Sequence, residues 1–394
     1  MNRQRPSHRI ALALSYRYRL LPTKAQHATL VKILESQRLL YNAALEERIG
    51  AYRRTGRGRT YMDQCGALTV WRGFDSDARA TPLNIQRWTL KRLDDAYAAF
   101  FRRVKGGGAP GFPRFRGKGW WRSFGFAEFA GARWDGKRLR FKGLPGGLRV
   151  HLHRPLPADL RSCVFTKDES GWSVAFHVRV DAREKCTVAN SIGIDLGLKA
   201  FSYASDGVIV PNPRVARKAE RLVRQRSRAL ARCKKGSQRR QKVRERLRAA
   251  HRDILNARTT WLHQQSAALV GRADLIAAED LRIANMIKNP YLARSISDAG
   301  WAKFLSMVAY KAERAGKHFV TVDPRNTTQD CSGCGVKVPK TIAVRTHACP
   351  ECGLVLDRDH NAALNILRAV AGPGQPNVAH QRKRAAGNLK AVTP

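Results

Sequence analysis

The sequence predicts a multidomain α+β chain whose C-terminal half is an α/β core, ordered strand, strand, strand, helix, strand, helix, strand, helix. Three observations carry this. Ser191-Ile192-Gly193-Ile194-Asp195-Leu196-Gly197-Leu198-Lys199 reads as a short apolar strand with one carboxylate that turns on glycine. The segments after it alternate strand and helix, as one sheet covered by helices requires. Two Cys-x-x-Cys-Gly knuckles then interrupt the alternation just before its last helix.

The first strand sets the chemistry. Ile194 and Leu196 flank Asp195, so a period of two turns the carboxylate away from the face they bury. A buried carboxylate is costly unless paired, and a divalent cation is the usual partner. Phe201 to Gly207 alternates and ends on Asp206-Gly207, a hairpin signal, and Val208-Ile209-Val210 returns. An acid on the first of three short strands is how an RNase H-like nuclease core begins. An ordinary meander with a solvated aspartate would look the same over these residues alone.

Residues 214–258 read as helical and carry 18 Lys/Arg against Glu220, Glu245 and Asp253. Lys234-Lys235-Gly236-Ser237 breaks them into two helices. Val215, Ala219, Leu222 and Leu230 form one apolar seam, and Val243, Leu247, Ala250 and Ile254 the other. The prediction is an antiparallel basic hairpin inserted in the core, and so lopsided a charge favours nucleic acid over a merely solvated surface. Trp261 to Val270 continues the helix. Leu275 to Leu281 is an apolar strand ending in Glu279 and Asp280. Trp301, Phe304, Leu305, Val308, Ala309 and Ala312 mark another helix, and His318 to Asp323 the next strand.

The third acidic point is Leu356-Asp357-Arg358-Asp359-His360-Asn361-Ala362-Ala363-Leu364-Asn365-Ile366, which opens a helix. Helical spacing places Asp359 on the side of Ala363 and Ile366, so Asp195, Glu279 and Asp359 are the expected catalytic and metal-binding acids. Asp280 and Asp357 are read as caps or outer partners. Three carboxylates at one sheet end can hold two Mg²⁺ roughly 4 Å apart, the arrangement that hydrolyses phosphodiesters to a 5′-phosphate and a 3′-hydroxyl.

Cys331-Ser332-Gly333-Cys334-Gly335 and Cys349-Pro350-Glu351-Cys352-Gly353 are spaced as a zinc ribbon, with four thiolates closing the shell of one structural Zn²⁺. Cys65, Cys163, Cys186 and Cys233 lack such spacing and read as packing residues. His347 and His360 lie nearby, but four cysteines suffice.

Composition agrees with a polyanion partner. The 394 residues hold 74 Lys/Arg against 30 acids, a formal charge of +44. No apolar run approaches the roughly 20 residues of a membrane span. The run from Ile10 to Leu14 is too short for an export leader, so the expected location is a reducing cytosol.

The N-terminal half reads differently. Residues 1–8 are basic and expected to be disordered. Leu12, Leu14, Tyr16 and Tyr18 alternate as a half-buried strand. Thr23-Lys24-Ala25-Gln26 is a capping box, and Leu30, Ile33, Leu34, Leu40, Tyr41, Leu45 and Ile49 line the helix after it. A second helical region runs from about residue 82 to 104. From Lys105 to Gly119 the chain interleaves Gly, Arg and aromatics. There Arg114, Arg116 and Lys118, with Phe112, Phe115 and Trp120, suit phosphate contact and base stacking. A solvated glycine-rich linker has the same composition. Arg239, Arg240 and Lys242 are the corresponding candidates on the hairpin. Short strands between 123 and 180 suggest a small barrel that the early strand joins, with the helical block inserted.

Together these residues resemble the TnpB (OrfB) family of transposon-encoded proteins, relatives of compact type V CRISPR effectors, from about Leu12 to Val370. The resemblance rests on Gly193-Ile194-Asp195-Leu196-Gly197, Glu279-Asp280-Leu281, the run Val322 to Gln329 leading into the first knuckle, and Asp357-Arg358-Asp359-His360-Asn361-Ala362-Ala363. Arg19-Leu20-Leu21-Pro22-Thr23, Tyr41-Asn42 and Gly111-Phe112-Pro113-Arg114-Phe115 extend it through the N-terminal half. It implies a RuvC-like nuclease guided by an RNA from the transposon end, cutting double-stranded DNA beside a short adjacent motif. It implies a monomer in a prokaryotic ribonucleoprotein. The expected domains are a β-barrel wedge (1–22 and 106–188), an inserted helical recognition domain (23–105), the RuvC-like nuclease (189–328 and 354–370), the zinc ribbon (329–353) and a mobile basic tail (371–394). Competing readings are a nuclease-inactive RNA-guided binder, which should lack one acid, and a compact CRISPR effector. An end-joining transposase should carry a helix-turn-helix. A zinc-ribbon coat protein would not need Asp195 and Glu279 in strands.

Overall fold

A computed structural model describes residues 11–181, 183–341 and 343–371. The N-terminal residues 1–8 and the tail beyond Ala371 lie outside the described residues. The chain divides after Asp181 into two compact units.

In the first unit, β1 (Ala11–Leu21) is followed by α1 (Lys24–Thr55), α2 (Tyr61–Phe74), α3 (Ser76–Ala80) and α4 (Leu83–Lys105). Then come β2 (Ser123–Phe126), β3 (Ala132–Trp134), β4 (Arg138–Phe141), β5 (Leu148–His151), β6 (Leu160–Asp168) and β7 (Gly171–Asp181). The strands form one antiparallel sheet, ordered β2-β6-β7-β1-β5-β4-β3, with β1 between β7 and β5. The helical block is therefore an insertion between two strands of one sheet. Among the described residues no ladder joins β2 to β3. The sheet nevertheless curls, because the rings of Phe126 and Phe124 of β2 lie 5.3 and 6.4 Å from that of Phe141 of β4. Thr23 and Gln26 form the reciprocal cap of α1, and Gly56 ends it in the left-handed region. The sequence reading passed over α2 and α3. Thr60 and Asp63 form a second reciprocal cap, the signal that marks α2.

The second unit contains β8 (Ser191–Leu196), β9 (Ala200–Ala204), β10 (Ile209–Pro211), α5 (Val215–Lys218), α6 (Glu220–Ala231), α7 (Gln238–Arg272) and β11 (Leu275–Glu279). It continues with α8 (Ile283–Met286), α9 (Ala293–Ala299), α10 (Trp301–Arg314), β12 (His318–Val322), β13 (Thr346–Ala348), β14 (Val355–Asp357) and α11 (Arg358–Ala371). Its main sheet is ordered β10-β9-β8-β11-β12. The first three strands are antiparallel neighbours, and β8, β11 and β12 run parallel. Residues 183–188, expected to belong with the barrel, fall in this unit instead. The Cys186 amide donates to Gly316 O at 2.7 Å, and Asn190 O accepts from the Asp274 amide at 2.8 Å.

Period two divides β8 between two packing faces. Ile192, Ile194 and Leu196 join a core with Leu262 of α7 and Phe304, Val308 and Ala312 of α10. Gly193 and Asp195 face α11. A Cβ on Gly193 would overlap the Ala363 carbonyl oxygen and stand 2.7 Å from the Leu367 amide nitrogen. The helix thus sits on the strand backbone to backbone, which only glycine permits. The hairpin of α6 and α7 packs as expected through Val243, Leu247, Ala250 and Ile254. In its other seam Val215, Ala219 and Leu230 are half-buried as expected, but Leu222 is exposed, and Val223 and Arg226 are half-buried instead.

Because the atoms in the way at Gly193 are backbone, they cannot rotate aside. We expect Gly193→Ala to destabilise the second unit by about 1–3 kcal/mol, the usual range for overpacking a close contact, read as a lower melting temperature. A wild-type melting curve would disprove the close seating of α11.

Candidate active site and metal centre

The parallel ladder between β8 and β11 pairs Ile194 with Ala278, so Asp195 and Glu279 come next, side by side. Neighbouring strands lie about 4.8 Å apart, which brings the two carboxyl groups together at the carboxyl ends of adjacent central strands. Asp359 joins from the first turn of α11, which packs on the same face. It is buried, as are Ala363 and Ile366, so the helical-spacing argument picks the residue the fold turns inward. Asp357 and Asp280 are exposed. Asp357 Oδ1 accepts from the Asp359 amide at 2.8 Å and so caps α11.

This crowding perturbs the acids. Burial, then the negative charges of Glu279 and Asp359, pushes the Asp195 carboxyl up to about 8. Burial also raises Glu279, opposed by a 2.6 Å hydrogen bond from Thr327 Oγ1 to its Oε1. Asp359 is balanced by arginines. Arg358 donates to its Oδ1 from Nε at 3.2 Å and from Nη2 at 3.1 Å, and Arg345 lies 3.8 Å from its Oδ2. Buried like charges that repel one another, built from hard oxygens, match the donor chemistry of Mg²⁺ or a similar divalent cation.

The four ribbon cysteines converge more tightly. Their sulfurs lie within 4.8 Å of one another, the one set of three or more His, Cys, Asp and Glu donors among the described residues to do so. Cys331–Cys352 and Cys334–Cys349 are each 3.6 Å apart. Tetrahedral coordination with metal–sulfur bonds of about 2.3 Å has edges of about 3.8 Å, so the set fits zinc. A disulfide would need about 2.05 Å. The Gly333 amide points at Cys331 Sγ from 3.4 Å, a donor suited to a thiolate. His347 is buried against Lys340 and His360 lies by Ser205 O, so neither joins the set. Cys65 and Cys163 are buried in the core of the first unit.

The basic candidates divide by what else they hold. The stretch around Arg114 and Lys118 is pinned rather than loose. Asn42 and Arg38 of α1 donate to Arg116 O, both at 3.0 Å, and the Arg116 amide donates to Asn42 Oδ1 at 2.8 Å. Arg114, Arg116, Lys118, Phe115 and Trp120 are left exposed. On the hairpin, Arg239 and Lys242 are exposed, but Arg240 is not available as expected. Its Nη1 donates to Leu230 O at 2.8 Å and Cys233 O at 3.1 Å, capping α6 and closing the turn. The sequence reading does not single out Arg217, Arg221, Arg224, Arg228 and Arg232. With Glu220, which pairs with Arg224, they line a groove of about 850 Å³ along α5 and α6. Their spacing of three and four is legible in the sequence as a single helical stripe.

Three family models match the chain. One described as "Probable transposase" covers residues 173–290, and "Cas12f1-like, TNB domain" covers 301–366. "Helix-turn-helix domain" covers 12–57. In this structure residues 12–57 are β1 and the single long helix α1, not two short helices. A Streptomyces pristinaespiralis protein named "Putative RNA-guided DNA endonuclease" is 32% identical over 368 residues, covering 90% of this chain and 89% of the relative. "Putative RNA-guided DNA endonuclease InsQ" of Escherichia coli (strain K12) is 24% identical, covering 90% and 92%. In fold, the chain is similar to the protein of a "Cas12f1-sgRNA-target DNA complex", with a TM-score of 0.58 at 12% identity, covering 89% of this chain and 83% of that one. The chain belongs to the TnpB (OrfB) family of transposon-encoded proteins.

Proposed function

We propose that the protein is an RNA-guided DNA endonuclease of a transposable element, with Asp195, Glu279 and Asp359 as the metal-binding acids of a RuvC-like nuclease. The observation that carries this is the adjacency of Asp195 and Glu279 at the ends of two central parallel strands, with Asp359 delivered onto the same face by α11. Two Mg²⁺ held there would activate the attacking water and stabilise the leaving 3′ oxygen. The chain's part is to hold the three carboxylates in place, with Arg358 and Arg345 steadying Asp359. In this reading the curled sheet of the first unit is the wedge, its inserted helices are the recognition domain, and the cysteine centre is a structural zinc ribbon. The partners are a guide RNA from the transposon end and double-stranded DNA beside a short motif. No helix among the described residues is long and apolar enough to cross a membrane.

Asp195→Ala, Glu279→Ala and Asp359→Ala should each bind RNA and target DNA normally and cut neither strand, because affinity comes from many phosphate contacts away from the acids. Asp357→Ala should keep most activity, losing only a helix cap worth about 1 kcal/mol. A gel assay of RNA-programmed cleavage with added Mg²⁺ decides this. Cutting by Asp195→Ala would sink the nuclease reading. Cutting by Asp359→Ala with a dead Asp357→Ala would move the third acid.

Elemental analysis of purified protein should find about one zinc per chain, and Cys334→Ser should lower both the zinc content and the melting temperature. Well-folded protein without zinc would refute the ribbon.

Charge reversal at Arg221, Arg228 and Arg232 should weaken RNA binding and reduce its log–log salt slope by at most about 1 for each phosphate left without its cation. The same change at Arg239 and Lys242 tests the start of α7, and Arg240 is left intact because it closes the turn. Unchanged affinity and slope in both sets would assign the hairpin to DNA.

A further inference from the structure

The run from Val322 to Gln329 has no task in the proposed function. It is the connection between β12 and the first knuckle, and Thr327 within it is buried. Thr327 Oγ1 lies 2.6 Å from Glu279 Oε1 and 3.2 Å from Pro324 O. A hydroxyl has one proton to give, and the shorter, charge-assisted partner is the carboxylate. The bond fixes one oxygen of Glu279 and with it the direction of the other.

We infer that Thr327 is a positioning residue for Glu279, and that Asn361 and Asn365 lock it to the cysteine centre, so that metal knuckle and acid site form one mechanical unit. The inference rests on the proposed function. Asn365 Nδ2 donates to Thr327 O at 2.8 Å and to Asp330 O at 2.6 Å. Asn361, fully buried, donates from Nδ2 to Asp330 O at 2.8 Å and accepts the Ser332 amide at 2.9 Å. Ser332 follows Cys331 directly. The two asparagines stand four apart, one turn on the same face of α11. Asn326 turns the loop in the left-handed region, and its carbonyl accepts the Gln329 and Asp330 amides at 2.8 and 2.9 Å.

The connection is therefore gripped from both sides. One end is the Cys331 knuckle, and the middle is held by the helix that also delivers Asp359. A structural role alone would account for the asparagines, since they satisfy loop carbonyls that would otherwise be buried unpaired. It does not account for the hydroxyl aimed at Glu279, because valine would fill the same space. Partners that orient a metal ligand typically contribute 10–100-fold in affinity or activity.

The test uses full-length protein with its RNA, and Mn²⁺ alone as the probe of the acid site. Thr327→Val should retain zinc and RNA binding. It should bind Mn²⁺ about 10–100-fold more weakly by calorimetric titration and cleave more slowly, with part of the rate recovered at high Mg²⁺. Thr327→Ser should restore both. Asn361→Ala should lose zinc faster to a chelator and show the same Mn²⁺ defect. If Thr327→Val itself disturbs packing, seen as lost zinc or a lowered melting temperature, Thr327→Ala against Thr327→Ser isolates the hydroxyl. Equal Mn²⁺ affinity in that pair would overturn the inference. So would wild-type cleavage by Thr327→Val while Asp195→Ala is dead, an outcome that leaves the nuclease reading standing. Cleavage by Asp195→Ala would instead remove that reading.

Discussion

The seat of α11 on β8 is the contact on which the second unit depends. With no side chain at Gly193, helix backbone meets strand backbone, and three consequences follow from that closeness. Asp195, two residues further on the same strand face, comes under the first turn of the helix. Asp359 in that turn is buried beside it rather than in solvent. The opposite flank of the helix presents Asn361 and Asn365 to the connection that carries Thr327. The amino end of a helix also bears partial positive charge, which favours carboxylates there, and Asp357 occupies its cap.

The chain sets a small acidic site within a basic molecule. With 74 cationic side chains, polyanions are drawn to it from a distance. Three neighbouring carboxylates would then repel the phosphodiester at the last step. In the proposed function, divalent cations held by these acids would remove that conflict and supply the hydrolytic chemistry, so attraction and catalysis would be separable properties of different surfaces. The raised Asp195 carboxyl is the local record of the same conflict, since burial and its acidic neighbours oppose its charge. On the basic side, Arg240 shows that a cation in a lopsided helix need not face solvent. The last carbonyls of α6 needed a donor and Arg240 provides it.

What the sequence made legible is what periodicity and spacing encode. Asp195 was readable because Ile194 and Leu196 bracket it with a period of two. Asp359 was readable over Asp357 because Ala363 and Ile366 follow it at helical spacing. The cysteines were readable because thiolate ligands recur in tight pairs. Within the α6 seam only Leu222 is misplaced: it is the more apolar choice, but the fold half-buries Val223 and Arg226, and an arginine stem can bury along a seam with its charge outside. The short α2 escaped notice because Gly66 and Gly73 weaken its pattern, although its cap was present. Thr327, Asn361 and Asn365 had no such signature. Polar residues in a connection and on a helix look solvated until the fold shows which carbonyls they meet.

The connection from β12 to α11 would ordinarily be a weakness. Long stretches with little regular structure are uncommon inside compact domains and cost entropy to close, and the described residues of this one hold the short pair β13 and β14 and a single bridge between Asp330 and Lys337. Yet the helix at its far end has to return to β8, where Asp359 is buried within electrostatic reach of Asp195. Two kinds of cross-link make that possible. Four cysteine sulfurs gather the two knuckles, shortening the effective loop, and two asparagines return the first knuckle to the helix itself. The ribbon does for the last helix what a tight turn does for adjacent strands. In the proposed function, this is the role left to a zinc whose four thiolates would close its shell: it would hold the connection rather than take part in the chemistry of the acids.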